Sequence, residues 1–346
     1  MSNTNHSDGI KHDRLRGDLM SVHIFVLNEK NFDVCIRRGI AGIPNHEKDQ
    51  YNDALISRMA PIRKGDYILF YIMDVKELRG IYRVLDKPFF DTTPVWESQD
   101  PNRVYPFRVR IENSDYVFEN PIKLNDVYDL KDNGLMWTFS LQRPGGASNT
   151  LFSITNDEFQ HLFRLFLKLN PVLTPPRPIR EPYPYHEPNL LSQLHLNSNH
   201  NPKYEYSVMA LLLSEFTEGR FKGIFGEYDD FLGYIPTSFG REMDALLITH
   251  NPLNKDEVIA YNIVEVKRDR FDEDGLVQLL QYEDWFLRKK VNGDFNMVRA
   301  TAIAQSFSDK VVDYVEKRKQ YEGKGIKLLV FSNSEHGFEL TPIARP

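Results

Sequence analysis

The chain has 346 residues, 41% of them hydrophobic and 12% aromatic, enough apolar material for two packed cores. A net charge of −6 excludes a broadly basic surface that would bind nucleic acid by charge alone, and leaves room only for a local basic groove. The apolar runs are strand-sized, too short to cross a membrane, and the single cysteine, Cys35, excludes an internal disulfide or a multi-cysteine metal site. A soluble protein of a reducing compartment, the cytoplasm, is expected.

Residues 1–20 are polar and lack a secretory apolar stretch, so they read as a flexible tail with His6 and His12 solvated. From 21 to 170 strand signals dominate. SVHIFVLN, RKGDYILFYIM, LRGIYRVLD and YPFRVRIE alternate or run apolar between turn residues, and MWTFSL, which carries Trp137, reads as a further strand. Arg108 and Arg110 share one strand face, available to phosphates or to solvent. Thr155 or Asn156 can cap a closing helix with apolar Phe159, Leu162, Phe163 and Phe166. The expected product is a small, mostly antiparallel barrel with helices.

Residues 171–203 are rich in proline, which cannot donate to a ladder and biases its predecessor to extended geometry, so a semi-rigid linker is expected. Residues 204–346 then alternate: helix YEYSVMALLLSEF, strands MDALLIT and VIAYNIVEV around a turn, helix GLVQLLQYEDWFLRK, strand MVRATAIAQS, helix KVVDYVEKRKQY, strand IKLLVFSN. That order predicts an α/β domain with a mixed sheet. Residues 272–275, DEDG, lack the ligand spacing of a calcium loop and read as a helix-capping turn.

The stretch NIVEVKRD concentrates the chemistry. Tyr261, Ile263, Glu265 and Lys267 share one strand face, Val264 and Val266 the other. With the turn centred between Asn254 and Lys255, Asp244 falls opposite Glu265, their Cβ atoms roughly 4.5–5.5 Å apart. Two carboxylates that close repel unless a proton or cation stands between them. Magnesium prefers such oxygen ligands and makes a bound water ionise more readily, while a neighbouring lysine can orient that water or steady a transferring phosphate. On the next helix Gln278 and Tyr282 lie four residues apart on one face and could reach toward a phosphate or base. A surface ion network of Asp244, Glu265 and Lys267 is the bland alternative.

Asp244, then Glu265-Val266-Lys267, then Gln278-Leu-Leu-Gln-Tyr282 resembles the PD-(D/E)XK nuclease superfamily, and the Q-x-x-x-Y element resembles its RecB-like and NucS-like branches. The resemblance implies a restriction-endonuclease-like fold over residues 204–346. It implies that Asp244 and Glu265 bind magnesium or manganese and that Lys267 supports the attacking water. A glutamate of the preceding helix joins the metal in this family; Glu205 is the candidate and Glu215 the second.

The upstream half resembles the EVE domain, a PUA-like fold related to YTH domains, most clearly through Lys64-Gly65-Asp66, Phe70-Tyr71 and Gly80-Ile81-Tyr82. Such barrels accept a single base, often modified, flipped from its strand at a cost of a few kcal/mol recovered by stacking and hydrogen bonds. The resemblance makes Trp96 and Trp137 candidate aromatic walls, and Asn28 and Asn31 candidate amide partners. Relatives often carry tryptophan in the G-x-x-G-[IV]-P segment, where this chain has Ala41.

Together the two resemblances imply a modification-dependent DNA endonuclease, homodimeric where both strands are cut, with DNA as partner. The alternatives are a NucS-like repair nuclease acting on mismatched or branched DNA, and an RNA-binding or RNA-processing protein. No G-x-x-x-x-G-K-[ST] loop is present, so a nucleotide-driven motor is not expected in this chain.

Overall fold

The computed structural model describes residues 20–97 and 104–343; residues 1–19, with His6 and His12 of the expected tail, lie outside the described residues. The N-terminal region runs β1 (Val22–Leu27), α1 (Glu29–Arg38), β2 (Ile40–Ile43), α2 (Asp49–Met59), β3 (Tyr67–Ile72), β4 (Glu77–Val84), β5 (Phe89–Phe90), β6 (Phe107–Asn113), β7 (Ile122–Lys123), α3 (Leu124–Asp132), β8 (Leu151–Ile154) and α4 (Asn156–Leu169). Its strands make a curled half-barrel in the order β2-β6-β4-β3-β1-β8, with β5 added on β6 and β7 on β4.

Local chemistry explains several boundaries. Asn28 Oδ1 accepts the Asn31 amide at the start of α1, and Gly39, at φ 59°, closes that helix in a left-handed conformation natural to glycine. Thr155 and Glu158 form a reciprocal capping box on α4. The same Glu158 carboxylate also accepts the amides of Trp137 and Thr138. The expected strand MWTFSL is therefore a loop, because the amides that would join a ladder are spent on that buried carboxylate.

The proline-rich stretch 171–203 is packed, not a free tether. Tyr183, Leu190 and Leu194 are buried in the same core as Phe89, Phe107 and Val109. The Tyr183 amide donates to the Arg38 carbonyl, and the Thr174 carbonyl accepts the Val117 amide. Proline sets the extended geometry; the intervening aromatic and leucine residues supply the adhesion.

The C-terminal region runs α5 (Glu205–Thr217), α6 (Lys222–Phe225), β9 (Asp230–Pro236), β10 (Glu242–Asn251), β11 (Asn254–Val266), β12 (Arg270–Phe271), α7 (Glu273–Lys289), β13 (Val298–Ala304), β14 (Ser306–Phe307), α8 (Asp309–Glu322), β15 (Ile326–Ser334) and β16 (Gly337–Pro342). A separate mixed sheet forms in the order β16-β15-β13-β11-β10-β9, with β11, β13 and β15 parallel. One face of β11 packs Ile263 with Leu279, Tyr282 and Phe286 of α7; the other packs Val264 and Val266 with Val208, Leu212 and Phe216 of α5. The period-2 reading of NIVEVKRD is thus the tertiary arrangement. Asp272 caps α7 by accepting the Gly275 amide, as expected of DEDG.

The hairpin register agrees with expectation for a different reason. The turn sits at Pro252 and Leu253, because Asn251 pairs with Asn254. Irregularities beside His250 lengthen β11 against β10 and bring Ala245 opposite Val264, so Asp244 comes beside Glu265.

Candidate functional site

Glu265 points from the end of β11 into the protein and is completely buried. Its Oε1 accepts from Lys267 Nζ at 2.8 Å, while Oε2 has no hydrogen-bond partner among the described residues. Half-buried Asp244 on β10 accepts the Val266 amide at 2.7 Å through Oδ2, which fixes its carboxylate beside the end of β11. Glu205, first residue of α5, lies 3.7 Å from Lys267 Nζ. Three carboxylates therefore share one ammonium.

The charges reflect that imbalance. Burial, reinforced by Glu205, pushes the Glu265 carboxyl up to about 7 despite the attraction of Lys267. Burial and the Glu265 charge hold Asp244 well above the usual carboxylate range, and burial raises Glu205. Lys267 is raised: its carboxylate neighbours outweigh its burial and keep it protonated.

Gln278 and Tyr282 are brought to the same place, but the Tyr282 side chain does not reach outward. Tyr282 is completely buried, accepts from Gln278 Nε2 at 2.7 Å and donates to the Glu242 carbonyl at 2.7 Å. This corrects the expectation for Tyr282, whose hydroxyl is spent on the backbone of β10, two residues from Asp244, while Gln278 stays half-buried beside it. Glu215, the second glutamate considered, bonds Arg220 at 3.0 Å and contacts none of these groups.

Among the described residues no three His, Cys, Asp or Glu side chains stand together as a ready metal cage. Glu205 is the outlying member of the expected trio: it rests 3.7 Å from Lys267 Nζ, yet its charge still acts on both Asp244 and Glu265. The pair Asp244 and Glu265 still fits. Their like charges and the orphaned Oε2 of Glu265 leave negative charge uncompensated in a dry place, and magnesium commonly takes one or two carboxylates with waters and phosphates completing its shell.

The proposed base-binding residues separate into two places. Trp96 is nearly buried, 5.2 Å from the Tyr105 ring, whose hydroxyl accepts from Asn31 Nδ2 at 3.1 Å. The indole lies over Gly42, where a Cβ would stand 2.6 Å from it, so this glycine makes room for the ring. Asn28 is committed to capping α1. Trp137 lies elsewhere, against Trp285 and Phe286 of α7 with Lys290 4.0 Å over its ring, so it cannot share a wall with Trp96. Arg108 also departs from expectation. It is 1% exposed and bonds the Tyr183 hydroxyl and the Tyr105 carbonyl, while Arg110 pairs with Asp86. Neither guanidinium is free for phosphates. A cavity of about 700 Å³ lined by Arg299, Lys319, Lys324 and Lys327 contains none of the residues above.

Sequence reasoning missed Arg58, Glu242 and Tyr234, which surround the Asp244 end of β10. Only the 60° φ of Tyr234 marks it as unusual, and no pattern in the sequence signals that.

Residues 38–165 match the EVE domain family. A UPF0310 protein of Pyrococcus abyssi is 27% identical over 116 residues, 31% of this chain and 70% of that protein. Among solved structures, a hypothetical protein from Leishmania major is 15% identical with a TM-score of 0.31, covering 43% of this chain and 96% of its own. Human THYN1 in complex with 5-methylcytosine-containing DNA is 15% identical with a TM-score of 0.29, covering 42% and 97%. An EndoMS–dsDNA complex is 19% identical with a TM-score of 0.23, covering 34% of this chain and 44% of the EndoMS chain. No helix among the described residues is long and apolar enough to cross a membrane.

Proposed function

We propose that the protein is a modification-dependent DNA endonuclease, in which the EVE domain takes a flipped modified base and the C-terminal domain hydrolyses a phosphodiester with magnesium or manganese. The observation that carries the reading is the meeting of Asp244, Glu265 and Lys267 at the end of one hairpin, in a chain whose residues 38–165 match the EVE domain family. Asp244 and Glu265 would hold the ion, with Glu205 the third carboxylate within reach. The ion's contribution is to polarise a phosphate oxygen and ease the ionisation of water. Lys267, protonated and anchored on Glu265, orients the attacking water and offsets charge developing on the phosphate. Tyr282 and Gln278 hold β10 in register through the Glu242 carbonyl. On the reader side Trp96 and Tyr105 supply aromatic surface and Asn31 an amide.

The test is cleavage of paired duplexes, with and without base modification, in magnesium, manganese or EDTA. Metal-dependent cutting of the modified duplex alone is expected, reduced roughly a hundredfold or more in Lys267→Ala. Equal cutting of both duplexes would remove the reader half of the proposal. Cutting that survives EDTA or Lys267→Ala would remove the nuclease half.

A further inference from the structure

Helix α2 of the EVE domain grips both elements that carry the candidate carboxylates. Asp53, fully buried on α2, accepts the Ser207 hydroxyl and lies 2.6 Å from His195 Nδ1. Ser207 sits in the first turn of α5, two residues beyond Glu205. Arg58, near the other end of α2, is almost as buried and places Nη2 3.2 Å from Glu242 Oε2. Glu242 precedes Asp244 by two residues on β10, and its carbonyl receives the Tyr282 hydroxyl.

The β9 side repeats the pattern. The Arg58 guanidinium lies 4.3 Å over the Tyr234 ring, and the Tyr234 hydroxyl is 2.5 Å from Ser57 Oγ. Gly233 and Ile235, on either side of Tyr234, pair with Ala245 and Met243, so Tyr234 flanks Asp244. A tyrosine at φ 60° is held there only when its surroundings over-determine it. Here α2 supplies the restraint.

The helix also begins near the candidate base pocket. Gly42, under the Trp96 indole, is followed within a few residues by Asn45, whose backbone accompanies Val104, and α2 opens at Asp49. Its 11 residues form a rod of about 16 Å between the reader and the nuclease strands. Buried ion pairs give little stability over apolar packing, but a guanidinium fork fixes orientation.

We propose that α2 is a positioning helix: by holding Ser207 and Glu242 it sets the spacing of Glu205 and Asp244, so that the docked EVE domain completes the metal site of the nuclease domain. The inference rests on the nuclease reading above. It makes Asp53 and Arg58 positioning residues that touch neither metal nor DNA.

The test uses the full chain and measures Mn²⁺ affinity by calorimetry, with DNA binding in EDTA by fluorescence anisotropy as the control. Arg58→Met and Asp53→Asn should each weaken Mn²⁺ binding at least tenfold, the scale of supports behind metal ligands, with DNA binding unchanged. Arg58→Lys, which keeps the charge and loses the fork, should fall between wild type and Arg58→Met and covers the case in which the methionine variant does not fold. Adding Glu242→Gln to Arg58→Met should cost little more than either change alone. Variants that fold and bind Mn²⁺ within twofold of wild type overturn the positioning role. A wild-type chain that binds no Mn²⁺ overturns the nuclease reading and this inference with it.

Discussion

Glu265→Gln should stabilise the metal-free protein while abolishing cleavage. The Glu265 carboxyl stands at about 7 against an ordinary 4.5, chiefly from burial, with the Glu205 charge adding to it. An acid raised in the fold binds its proton more tightly there than in the unfolded chain, so stability falls as pH rises from about 4.5 through 7 and the penalty is complete above that. At ~1.4 kcal/mol per tenfold change in proton affinity, the rise from 4.5 to about 7 makes this penalty about 3–4 kcal/mol at pH 8. Glutamine removes the charge, keeps an oxygen for Lys267 and preserves the volume. In EDTA at pH 8 the Tm of the C-terminal transition should rise by roughly 6–12 °C, an upper figure because Lys267 loses a charged partner. At pH 5, where wild-type Glu265 is protonated in the fold, the difference should nearly vanish. Magnesium or manganese should raise the wild-type Tm, by about 2.7 kcal/mol of stability at a hundred times Kd, and leave the variant unmoved. The assay is differential scanning calorimetry across pH and metal concentration. A variant less stable than wild type in EDTA at pH 8 would refute the charge-crowding account of the site.

Other parts of the molecule give independent checks. Glu283 on α7 is buried between Arg318 at 2.7 Å and Lys324 at 2.8 Å, so Glu283→Gln removes the carboxylate of Lys324 and leaves Arg318 with Glu322 alone, and should cost about 3 kcal/mol in urea titration. Asp230 is buried and pushed up to about 7 by desolvation. Stability should therefore decline as pH rises from about 4 to 7, by up to about 4 kcal/mol from this group, and Asp230→Asn should flatten that decline in chemical denaturation series. Gly42→Ala places a methyl 2.6 Å from the Trp96 ring and must displace it, which should change tryptophan fluorescence and weaken binding of modified DNA while metal affinity stays unchanged.

Several features of the protein are local and therefore legible from the chain. Alternation alone placed Ile263 and Glu265 on one face of a strand and Val264 and Val266 on the other, because side-chain period follows from strand geometry whatever surrounds it. The capping roles of Thr155 and Asp272 are likewise short-range hydrogen bonds that three or four residues specify. The hairpin register is a less secure success. The turn falls at Pro252 and Leu253, two residues before the expected centre, and only the irregular pairing of His250 brings Asp244 beside Glu265.

What tertiary structure decided are the long-range choices. A strand face shows that Arg108 and Arg110 point together, but Tyr183, 75 residues away, turns Arg108 into an interior group. Trp137 and Trp96 look equivalent as candidate walls. Glu158 holds the Trp137 loop against α7, while the open space over Gly42 admits Trp96. Tyr282 lies on the predicted helical face, yet its hydroxyl is consumed by a carbonyl 40 residues upstream. Prolines in 171–203 set an extended path, and the groove beside β6 determines that this path adheres. Arg58 meeting Glu242 across 184 residues has no sequence signature at all. Burial and partnership across such distances depend on how the two sheets dock, and that docking is fixed by the packing of whole surfaces, which no local pattern encodes.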